Sequence, residues 1–298
     1  SKNLYEIIKH MPKKSHPMDV ARTAVSLMGL EDKETQDSSP EANMRKALRI
    51  FAKTPTALAA FYRIRNGKKI IKPKKTFTFA ENFFYMCFGK VPQKEIVKAF
   101  DVSLILYAEH SFNVSTFTAR TITSSLSDIH GAITGAIASL KGPLHGGANE
   151  EVMHMMNKIK KPENALKWIK NALKNKDVVM GFGHRVYKSG DSRVPTMREY
   201  FGKVAKIKKD KKFEKIYDIV EKVMIKEKNI HPNVDYPTGP TYHLMGFDTD
   251  FFTPIFVISR ITGWSAHIME QHAANKLIRP LASYKGSKHR KVMELNYR

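Results

Sequence analysis

The sequence predicts a mainly α-helical protein, and three observations carry that prediction. Apolar residues recur with a period near 3.6 between residues 92 and 110, as on the buried face of a helix. Residues 115–140 are small and apolar, which suits close packing between helices in a core. The alternation of apolar and polar residues that is typical of strands is nearly absent.

Local start and stop signals place individual helices along the chain. A first helix is expected from Leu4 to His10. Thr54 followed by Pro55 predicts a helix start, and Asn66 predicts where that helix ends. Further helices are predicted at three places: after Pro162, around Phe213 to Val223, and at about 252–272.

The 298 residues are expected to form two domains. Composition shifts twice along the chain, because the middle part is richer in lysine and is punctuated by glycine. This pattern predicts a large helical domain built from residues 1–144 and 246–298, with a smaller helical domain, residues 145–245, inserted into it. A cleft between two domains is the usual place for a ligand site.

The chain carries 51 Lys and Arg residues against 28 Asp and Glu residues, a formal net charge of +23. Nucleic acid is the first partner that such a charge suggests. However, 38 of these residues are Lys and only 13 are Arg, the residue that specific phosphate and base recognition prefers. Apolar residues at helical spacing follow the lysine run 206–212, which favours a solvated helix face over a polyanion site. Both interpretations stay open at this point.

Several kinds of protein are excluded by what the sequence lacks. A single cysteine, Cys87, excludes an intramolecular disulfide framework and a multi-cysteine metal site. No apolar run approaches the roughly 20 residues that span a bilayer. His267 and His272 do not share a helix face, and neither His-Glu-x-x-His nor Gly-x-Ser-x-Gly occurs. We therefore expect a protein of a reducing compartment, with no membrane partner, no metal site and no serine nucleophile.

Three segments interrupt the helical pattern with residues that can perform chemistry. Each also has a purely structural interpretation, namely a turn with a surface histidine, a glycine loop, or an aspartate that caps a helix. The segments are 141–150 with His145 between glycines, 178–193 with His184 after Gly181 and Gly183, and 232–240 with Asp235 before a turn rich in proline and glycine.

Two histidines, one aspartate and several arginines together suit one type of chemistry. A carboxylate in an apolar cleft has a raised pKa and can act as a general base. A neutral donor can stabilise the enolate that forms beside a carbonyl, and arginines hold carboxylates. The set therefore indicates proton abstraction next to a carbonyl, on a substrate that carries carboxylates.

Five blocks, in order along the chain, resemble the citrate synthase family, and the resemblance covers almost the whole chain. It implies a large helical domain with a smaller helical domain inserted. It also favours a catalytic role for His145, His184 and Asp235 over the purely structural interpretations of their segments. The blocks are 108–115 (Ala-Glu-His-Ser-Phe-Asn-Val-Ser), 142–149 (Gly-Pro-Leu-His-Gly-Gly-Ala-Asn), 181–184 (Gly-Phe-Gly-His), 233–235 (Asn-Val-Asp) and 259–264 (Ser-Arg-Ile-Thr-Gly-Trp), followed by Ile278-Arg279-Pro280.

The resemblance implies a reaction and a role for each site residue. Asp235 would take the α-proton of an acyl-CoA, His145 would hydrogen-bond the thioester oxygen, and His184 would polarise and protonate the ketone of oxaloacetate. Hydrolysis of the condensed thioester would then release CoA, so an acyltransferase that needs no metal or bound cofactor is expected. The carboxylates of oxaloacetate are expected on His110, Arg193, Arg260 and Arg279, and the acyl-CoA on Gly181, Phe182, Gly183, Lys188 and Phe256.

The resemblance also implies a homodimer, because Arg279 matches an arginine that the family donates into the site of the other subunit. Tyr107 stands where many citrate synthases carry another histidine. With residues 251–256 and 262–271, it makes the chain similar to the 2-methylcitrate synthase branch, which prefers propionyl-CoA. We therefore favour 2-methylcitrate as the product, with citrate from acetyl-CoA as the alternative, since one methylene discriminates weakly. The tripeptide Asp191-Ser192-Arg193 has serine where the family more usually has the proline of Asp-Pro-Arg.

A function of another class remains as an alternative, namely a basic helical protein that binds anions or nucleic acid without activity. The joint presence of His145, His184 and Asp235 argues against it, so nucleic acid is not the expected partner. A cytoplasmic location is expected, or the mitochondrial matrix if the source is eukaryotic. Family members carry a further segment before the helix that opens at Leu4, so we expect a chain shortened at its N-terminus.

Overall fold

The computed structural model describes the chain except for seven residues: Ser1, Pro143, Leu144, Arg185, Lys188, His289 and Arg298. Within the described part the predicted mainly α-helical fold is confirmed, and the only strand-like pairing there is an isolated bridge between Phe182 and Pro232. No helix of that part is both long and apolar enough to cross a membrane. The helices are α1 (Lys2–His10), α2 (Pro17–Glu31), α3 (Pro40–Arg65), α4 (Phe79–Phe88), α5 (Lys94–Tyr107), α6 (Val114–Ser124), α7 (Ile129–Leu140), α8 (Ala148–Ile159), α9 (Pro162–Asn175), α10 (Val194–Ile207), α11 (Lys212–Lys228), α12 (Asp235–Met245) and α13 (Phe252–Ala273).

Helix α3 begins earlier than the sequence predicted. Thr54 and Pro55 lie inside it, so the predicted start at Thr54 is wrong. The helix begins at Pro40, after Ser39, whose side chain accepts a hydrogen bond from a backbone N–H of the first turn. It continues through Pro55 because buried residues on both sides of this proline pack into the same core. The predicted end is confirmed, since Asn66 is the C-cap.

Helices α1–α7 and α13 pack against one another and are called here the large helical group. Helix α13 packs against α3, α5, α6 and α7, and every residue from Phe252 to Ile261 is buried. Helices α6 and α7 approach closely at Gly135, where a Cβ atom would lie 2.2 Å from the side chain of Ile122. The small apolar residues of 115–140 therefore serve the close packing that the sequence predicted.

Helices α8–α12 are called here the small helical group, in which α12 packs against α8 and α10, and α11 packs against α9. Helix α9 begins at Pro162, and α11 buries Phe213, Ile216, Val220 and Val223, as predicted. Helix α5 packs against α4 and α13 in the large helical group and against α10 and α12 in the small one. Helix α5 therefore lies where the two groups meet, and its last residue, Tyr107, hydrogen-bonds Asp235 of α12.

The chain beyond α13 forms a C-terminal segment, residues 274–297. Its described residues form no further α-helix, only a short 3-10 turn at Leu295–Tyr297. The part from 279 to 288 is exposed throughout, and Leu281 is 90% exposed. This segment carries Arg279.

Candidate active site

Asp235 is the first residue of α12, and the turn before it joins two of the predicted segments. The backbone N–H of Asp235 donates to Oδ1 of Asn233, 3.1 Å away. Asn233 itself donates from its backbone N–H to the carbonyl of Gly181 at 2.9 Å, and from Nδ2 to the carbonyl of Gly183 at 3.0 Å. The aspartate and the glycine loop are therefore held at a fixed separation.

The protonation state of Asp235 is set by burial and by its neighbours. Burial raises the pKa of this carboxyl to about 6. A hydrogen bond from Oη of Tyr107 to Oδ1, and the nearby charge of Arg193, work in the opposite direction. A carboxylate with this pKa is ionised at pH 7 and is a stronger base than an exposed aspartate. Asp235 can therefore act as a general base.

A second carboxylate, that of Asp191, is fully buried and joins two parts of the site. Its oxygens accept hydrogen bonds from Nε and Nη2 of Arg193, at 2.9 and 2.7 Å. Oδ2 also accepts from the backbone N–H of Val234, the residue before Asp235, at 3.0 Å. Such charge-assisted bonds are strong and directional. Asp191 therefore fixes the orientation of Arg193 and the start of α12 together.

His145 lies between α7 and α8 with a defined proton position. Its Nε2 accepts a hydrogen bond from the backbone N–H of Ser115, 3.1 Å away. Because a backbone N–H can only donate, Nε2 carries no proton, and the neutral ring keeps its proton on Nδ1. Burial, together with the charge of Arg260, lowers the pKa of His145 to about 4. At pH 7 the ring is therefore a neutral donor through Nδ1, for which the described residues provide no hydrogen-bond partner.

The side chain of Ser115 lies at the centre of the contacts that hold His145. Its Oγ is 2.8 Å from Nε2 of His145 and 2.8 Å from Oδ1 of Asn113. The same oxygen accepts a hydrogen bond from Nε1 of Trp264, at 3.2 Å. Because Trp264 is fully buried in α13, this network ties the imidazole to the core of the large helical group.

The rings of His184 and His110 lie edge to face, with centroids 5.0 Å apart. Nδ1 of His184 accepts from the backbone N–H groups of Val186 and Tyr187, at 3.0 and 3.2 Å, so its proton lies on Nε2. Burial lowers the pKa of His184, and burial with the charge of Arg193 lowers that of His110 to about 4. Both rings are therefore neutral at pH 7. The hydroxyl of Tyr187 lies 3.1 Å from Nε2 of His110.

Arg260 is a buried cation on α13, only 1% exposed. Its Nε donates to the carbonyl of Tyr107 at 2.7 Å, and no carboxylate of the described residues forms an ion pair with its guanidinium. Burial and the charge of Arg193 lower the pKa of Arg260 to about 10, so it is still charged at pH 7. A buried charge without a partner is costly, and a bound anion removes that cost. Arg260, Arg193 and His110 therefore suit a substrate that carries carboxylates.

The glycine loop has a backbone conformation that other residues adopt poorly. Gly181 has a φ of +83°, and a Cβ on it would lie 2.7 Å from Val152 and 2.9 Å from Tyr236. The ring of Phe182 packs on the ring of Tyr236, with centroids 4.4 Å apart. Two cavities adjoin this loop. The larger cavity, of about 300 Å³, is mostly apolar and is lined by Phe182, Val178, Val179, Leu173, Met224, Ile230, Asp177, Lys176 and Lys228. The smaller cavity, of about 220 Å³, is lined by Gly183, His184, Tyr187, Gly190, Asp191, Asn229, Ile230, His231 and Pro232.

The structure brings most of the predicted site residues together, and one of them stays apart. Phe256 lies beside the base, since its ring is 4.1 Å from that of Tyr107 and lies 4.6 Å from the guanidinium of Arg260. Arg279, in contrast, is exposed on the C-terminal segment and has no ion pair or hydrogen bond with the described residues. Lys188 lies outside the described residues. The part of the chain with described side chains contains no group of three His, Cys, Asp or Glu placed to hold a metal ion.

Four residues of the site were given no role from the sequence: Ser115, Tyr187, Asp191 and Trp264. Tyr107 was used only to distinguish two branches of a family. All five lie within or beside the blocks that carry the resemblance, and this proximity was the only signal of their place in the site. The complete arrangement is a carboxylate base, two neutral imidazole donors and two arginines. It can remove a proton next to a carbonyl of an anionic substrate.

Comparison with known proteins places this arrangement in a family. Residues 1–281 match the citrate synthase C-terminal domain, and the chain belongs to the citrate synthase family. It is 51% identical over 292 residues to a citrate synthase of Mycolicibacterium smegmatis, covering 98% of this chain and 78% of that protein. It is also 51% identical over 289 residues to a 2-methylcitrate synthase of Mycobacterium tuberculosis H37Rv, covering 97% of this chain and 73% of that protein.

Solved structures agree with the sequence relatives. The citrate synthase of Pyrobaculum aerophilum superposes with a TM-score of 0.90 at 33% identity, covering 100% of this chain and 78% of that one. The Thermoplasma acidophilum citrate synthase, solved as a ternary complex with carboxymethyl coenzyme A and oxaloacetate, has a TM-score of 0.90 at 32% identity. That superposition covers 100% of this chain and 80% of the Thermoplasma acidophilum chain. The fold predicted from the resemblance is therefore confirmed.

Proposed function

We propose that this protein condenses oxaloacetate with a short acyl-CoA and then hydrolyses the thioester. One observation carries the proposal: Asp235, a base of raised pKa, lies close to Arg260, a buried cation with no carboxylate partner among the described residues. A site built in this way supplies a base for an α-proton and an electrostatic trap for a dicarboxylate. The names of the relatives, citrate synthase and 2-methylcitrate synthase, support the same reaction.

The first step is the removal of a proton from the α-carbon of the acyl-CoA. Asp235 takes that proton, and the electron pair of the C–H bond moves towards the thioester carbonyl. The Nδ1 proton of His145 stabilises the developing charge on the carbonyl oxygen, because the neutral ring is held with Nε2 on the backbone N–H of Ser115. Burial assists both groups, since neither has to be stripped of bulk water during the reaction.

The second step forms the carbon–carbon bond. Arg193, Arg260 and His110 hold the carboxylates of oxaloacetate, and the Nε2 proton of His184 polarises its ketone. The enolate carbon attacks the ketone carbon, the thioester carbonyl re-forms, and the new alkoxide receives a proton from His184. Water then adds to the thioester carbonyl, the C–S bond breaks, and CoA leaves as a thiol. The chemistry requires no bound cofactor, because the acyl-CoA is itself a substrate.

The acyl-CoA is proposed to enter beside the glycine loop. Gly181, Phe182 and Gly183 line its path, and Lys188 is assigned to its phosphates from the resemblance alone. The 300 Å³ cavity next to Phe182, with Lys176 and Lys228 in its lining, offers apolar surface and positive charge for the nucleotide end. Phe256 is proposed to flank the acyl group, since it lies against Tyr107 beside the base.

The large and small helical groups are proposed to be the two domains predicted from the sequence, with boundaries at residues 145 and 245. Closure of the small helical group over oxaloacetate would exclude water before the thioester arrives. The helix packing supports this division, because α8–α12 pack among themselves and meet the large helical group at α5 and α13. A cytoplasmic location is proposed from the bacterial relatives.

A homodimer is proposed in which Arg279 enters the site of the other subunit. Its support is the resemblance, together with the exposure of Arg279 on the C-terminal segment, where it forms no ion pair or hydrogen bond with the described residues. Mixing Asp235→Asn with Arg279→Ala subunits tests the proposal. If Arg279 acts across the interface, one site of each mixed dimer is intact, and roughly a quarter of the wild-type activity returns in a statistical mixture. If it acts within its own chain, the mixture stays inactive.

The acyl group is proposed to be propionyl rather than acetyl, on the resemblance of residues 107–113, 251–256 and 262–271 to the 2-methylcitrate synthase branch. The experiment is thiol release from each acyl-CoA in the presence and absence of oxaloacetate. We expect release that depends on oxaloacetate, with the higher kcat/KM for propionyl-CoA. A higher value for acetyl-CoA would make the protein a citrate synthase, and release without oxaloacetate would contradict the condensation itself.

A further inference from the structure

Tyr107 makes three contacts that converge on the site. It is the last residue of α5 and is fully buried. Its hydroxyl donates to Oδ1 of Asp235, its ring lies against Phe256, and its carbonyl accepts from Nε of Arg260 at 2.7 Å. The side chain and backbone carbonyl of this one residue therefore contact the proposed base Asp235, the ring proposed to flank the acyl group, and an arginine proposed to bind oxaloacetate.

The hydroxyl of Tyr107 is suited to act as a permanent donor. Burial raises the pKa of this phenol well above its usual range, and the negative charge of Asp235 raises it further, so the proton stays on Oη at any working pH. The Thr238 hydroxyl also contacts Oη, but it donates its own proton to the carbonyl of Val234, at 2.7 Å. The Tyr107 proton itself goes to Oδ1 of Asp235, because an ionised carboxylate is a stronger acceptor than the neutral oxygen of Thr238.

No other described residue donates a hydrogen bond to the carboxylate of Asp235. The charged and titratable groups that face it are Arg193 and Asp191 before α10, Arg260 on α13, Tyr107 on α5 and Tyr242 on its own helix. Arg193 is already paired with Asp191, and Arg260 donates to a carbonyl. The orientation of the Asp235 carboxylate thus depends on Tyr107.

We propose that Tyr107 is the positioning residue of the general base: its hydroxyl fixes the carboxylate of Asp235 through Oδ1 and leaves Oδ2 free for the α-proton. This inference rests on the proposed condensation. A hydrogen bond to the charged form of a carboxylate favours that form. Tyr107 therefore also keeps Asp235 ionised where burial alone would promote protonation. Its carbonyl bond to Arg260 sets the distance between the base and the dicarboxylate site.

Tyr107→Phe tests the proposal, with Tyr242→Phe as the matched control. Tyr242 is also fully buried at the contact of α5 and α12, but its hydroxyl pairs with Oγ of Ser103, at 2.9 Å. The measurement is kcat and KM from pH 5 to 9, with the thermal unfolding midpoint of each variant. For Tyr107→Phe we expect kcat at pH 7 to fall about tenfold or more. The acidic limb of the plot of kcat against pH should move up by about one pH unit. The KM for oxaloacetate should stay within about twofold of the wild-type value.

The control separates a positioning role from a structural one. Tyr242→Phe should leave the acidic limb where it is, whatever its effect on stability. An unmoved limb in Tyr107→Phe, or an equal shift in both variants, would overturn the proposal. If wild-type protein fails to condense, the proposed function falls instead, so the two failures are distinguishable.

A second measurement covers the case in which Tyr107→Phe does not fold. Wild-type protein grown with 3-fluorotyrosine carries more acidic phenols, which are stronger donors. A stronger donor to Asp235 should move the acidic limb to lower pH, and the same substitution in a Tyr187→Phe background shows that the second site tyrosine is not the cause. A limb that does not move would contradict the inference.

Discussion

The backbone N–H of Ser115 and Nε2 of His145 lie 3.1 Å apart, in a hydrogen bond that only the amide can donate. The imidazole is therefore held as the neutral tautomer with its proton on Nδ1, and burial keeps its pKa at about 4. A neutral imidazole placed in this way can hydrogen-bond the oxygen of a forming enolate through Nδ1, without first having to bind a proton from solvent.

Replacing His145 by Gln is expected to lower kcat by about 10²–10³-fold, as for the loss of one preorganised donor to a developing oxyanion. The acidic limb of the pH profile should not move, because His145 does not titrate near it. The measurement is kcat against pH for both proteins. A limb displaced in His145→Gln would mean that this histidine, and not the aspartate, titrates in the working range.

The pH dependence of the wild-type protein should follow Asp235. The base must be ionised, and burial places its pKa at about 6, whereas His110 and His145 remain neutral down to about 4. Activity should therefore be full above about pH 7 and fall towards tenfold per pH unit below about 6. The check is kcat/KM between pH 4.5 and 8. A limb near pH 4 would show that Asp235 is not desolvated as the structure indicates.

Asp235→Asn should stabilise the folded protein at neutral pH while abolishing condensation. A carboxyl whose pKa is higher in the folded than in the unfolded chain binds more protons when folded, so its ionised form costs stability above that pKa. Replacing it should raise the free energy of unfolding at pH 8 by about 1–3 kcal/mol. The gain should shrink as the pH falls through about 6 and vanish below about 4. Urea unfolding at several pH values measures this. Lower stability of the variant at pH 8 would contradict it.

Tyr187→Phe should weaken oxaloacetate binding more than it slows the chemistry. The hydroxyl of Tyr187 orients His110 through Nε2, at 3.1 Å, and no other described side chain forms a hydrogen bond with that nitrogen. Loss of one neutral hydrogen bond should raise the KM for oxaloacetate about three- to tenfold. Tyr200→Phe, a half-buried tyrosine of α10 with Lys203 over its ring, is the control and should leave KM unchanged. A KM that rises in neither variant would remove Tyr187 from the site.

Much of the fold was predictable because its signals are local. The stripe of α5, the small residues of α6 and α7, and the proline that opens α9 each act within a few residues. The helix start predicted at Thr54-Pro55 was wrong for the same reason. A local start signal cannot show that buried residues on both sides of Pro55 keep α3 continuous there.

The site was predictable where chemistry sits among glycines and prolines, as at His145, His184 and Asp235. The contacts between those residues were not. Tyr107 and Asp235 are 128 residues apart, and Trp264 and Ser115 are 149 apart. Nothing in the local pattern distinguishes a buried tyrosine that touches the base from one that only fills the core. The burial of Arg260, with no carboxylate partner among the residues that the structure describes, likewise becomes visible only when α13 is packed.

The most direct test of the account follows the α-hydrogens of the acyl group. The protein is mixed with oxaloacetate and with propionyl-CoA that carries two deuterium atoms on its α-carbon. The deuterium content of the products is measured by mass spectrometry, and free CoA is measured by thiol release. The account predicts 2-methylcitrate that retains one deuterium, free CoA in equal amount, and neither product with Asp235→Asn. Propionate that retains both deuterium atoms, formed with CoA but without a new carbon–carbon bond, would contradict it.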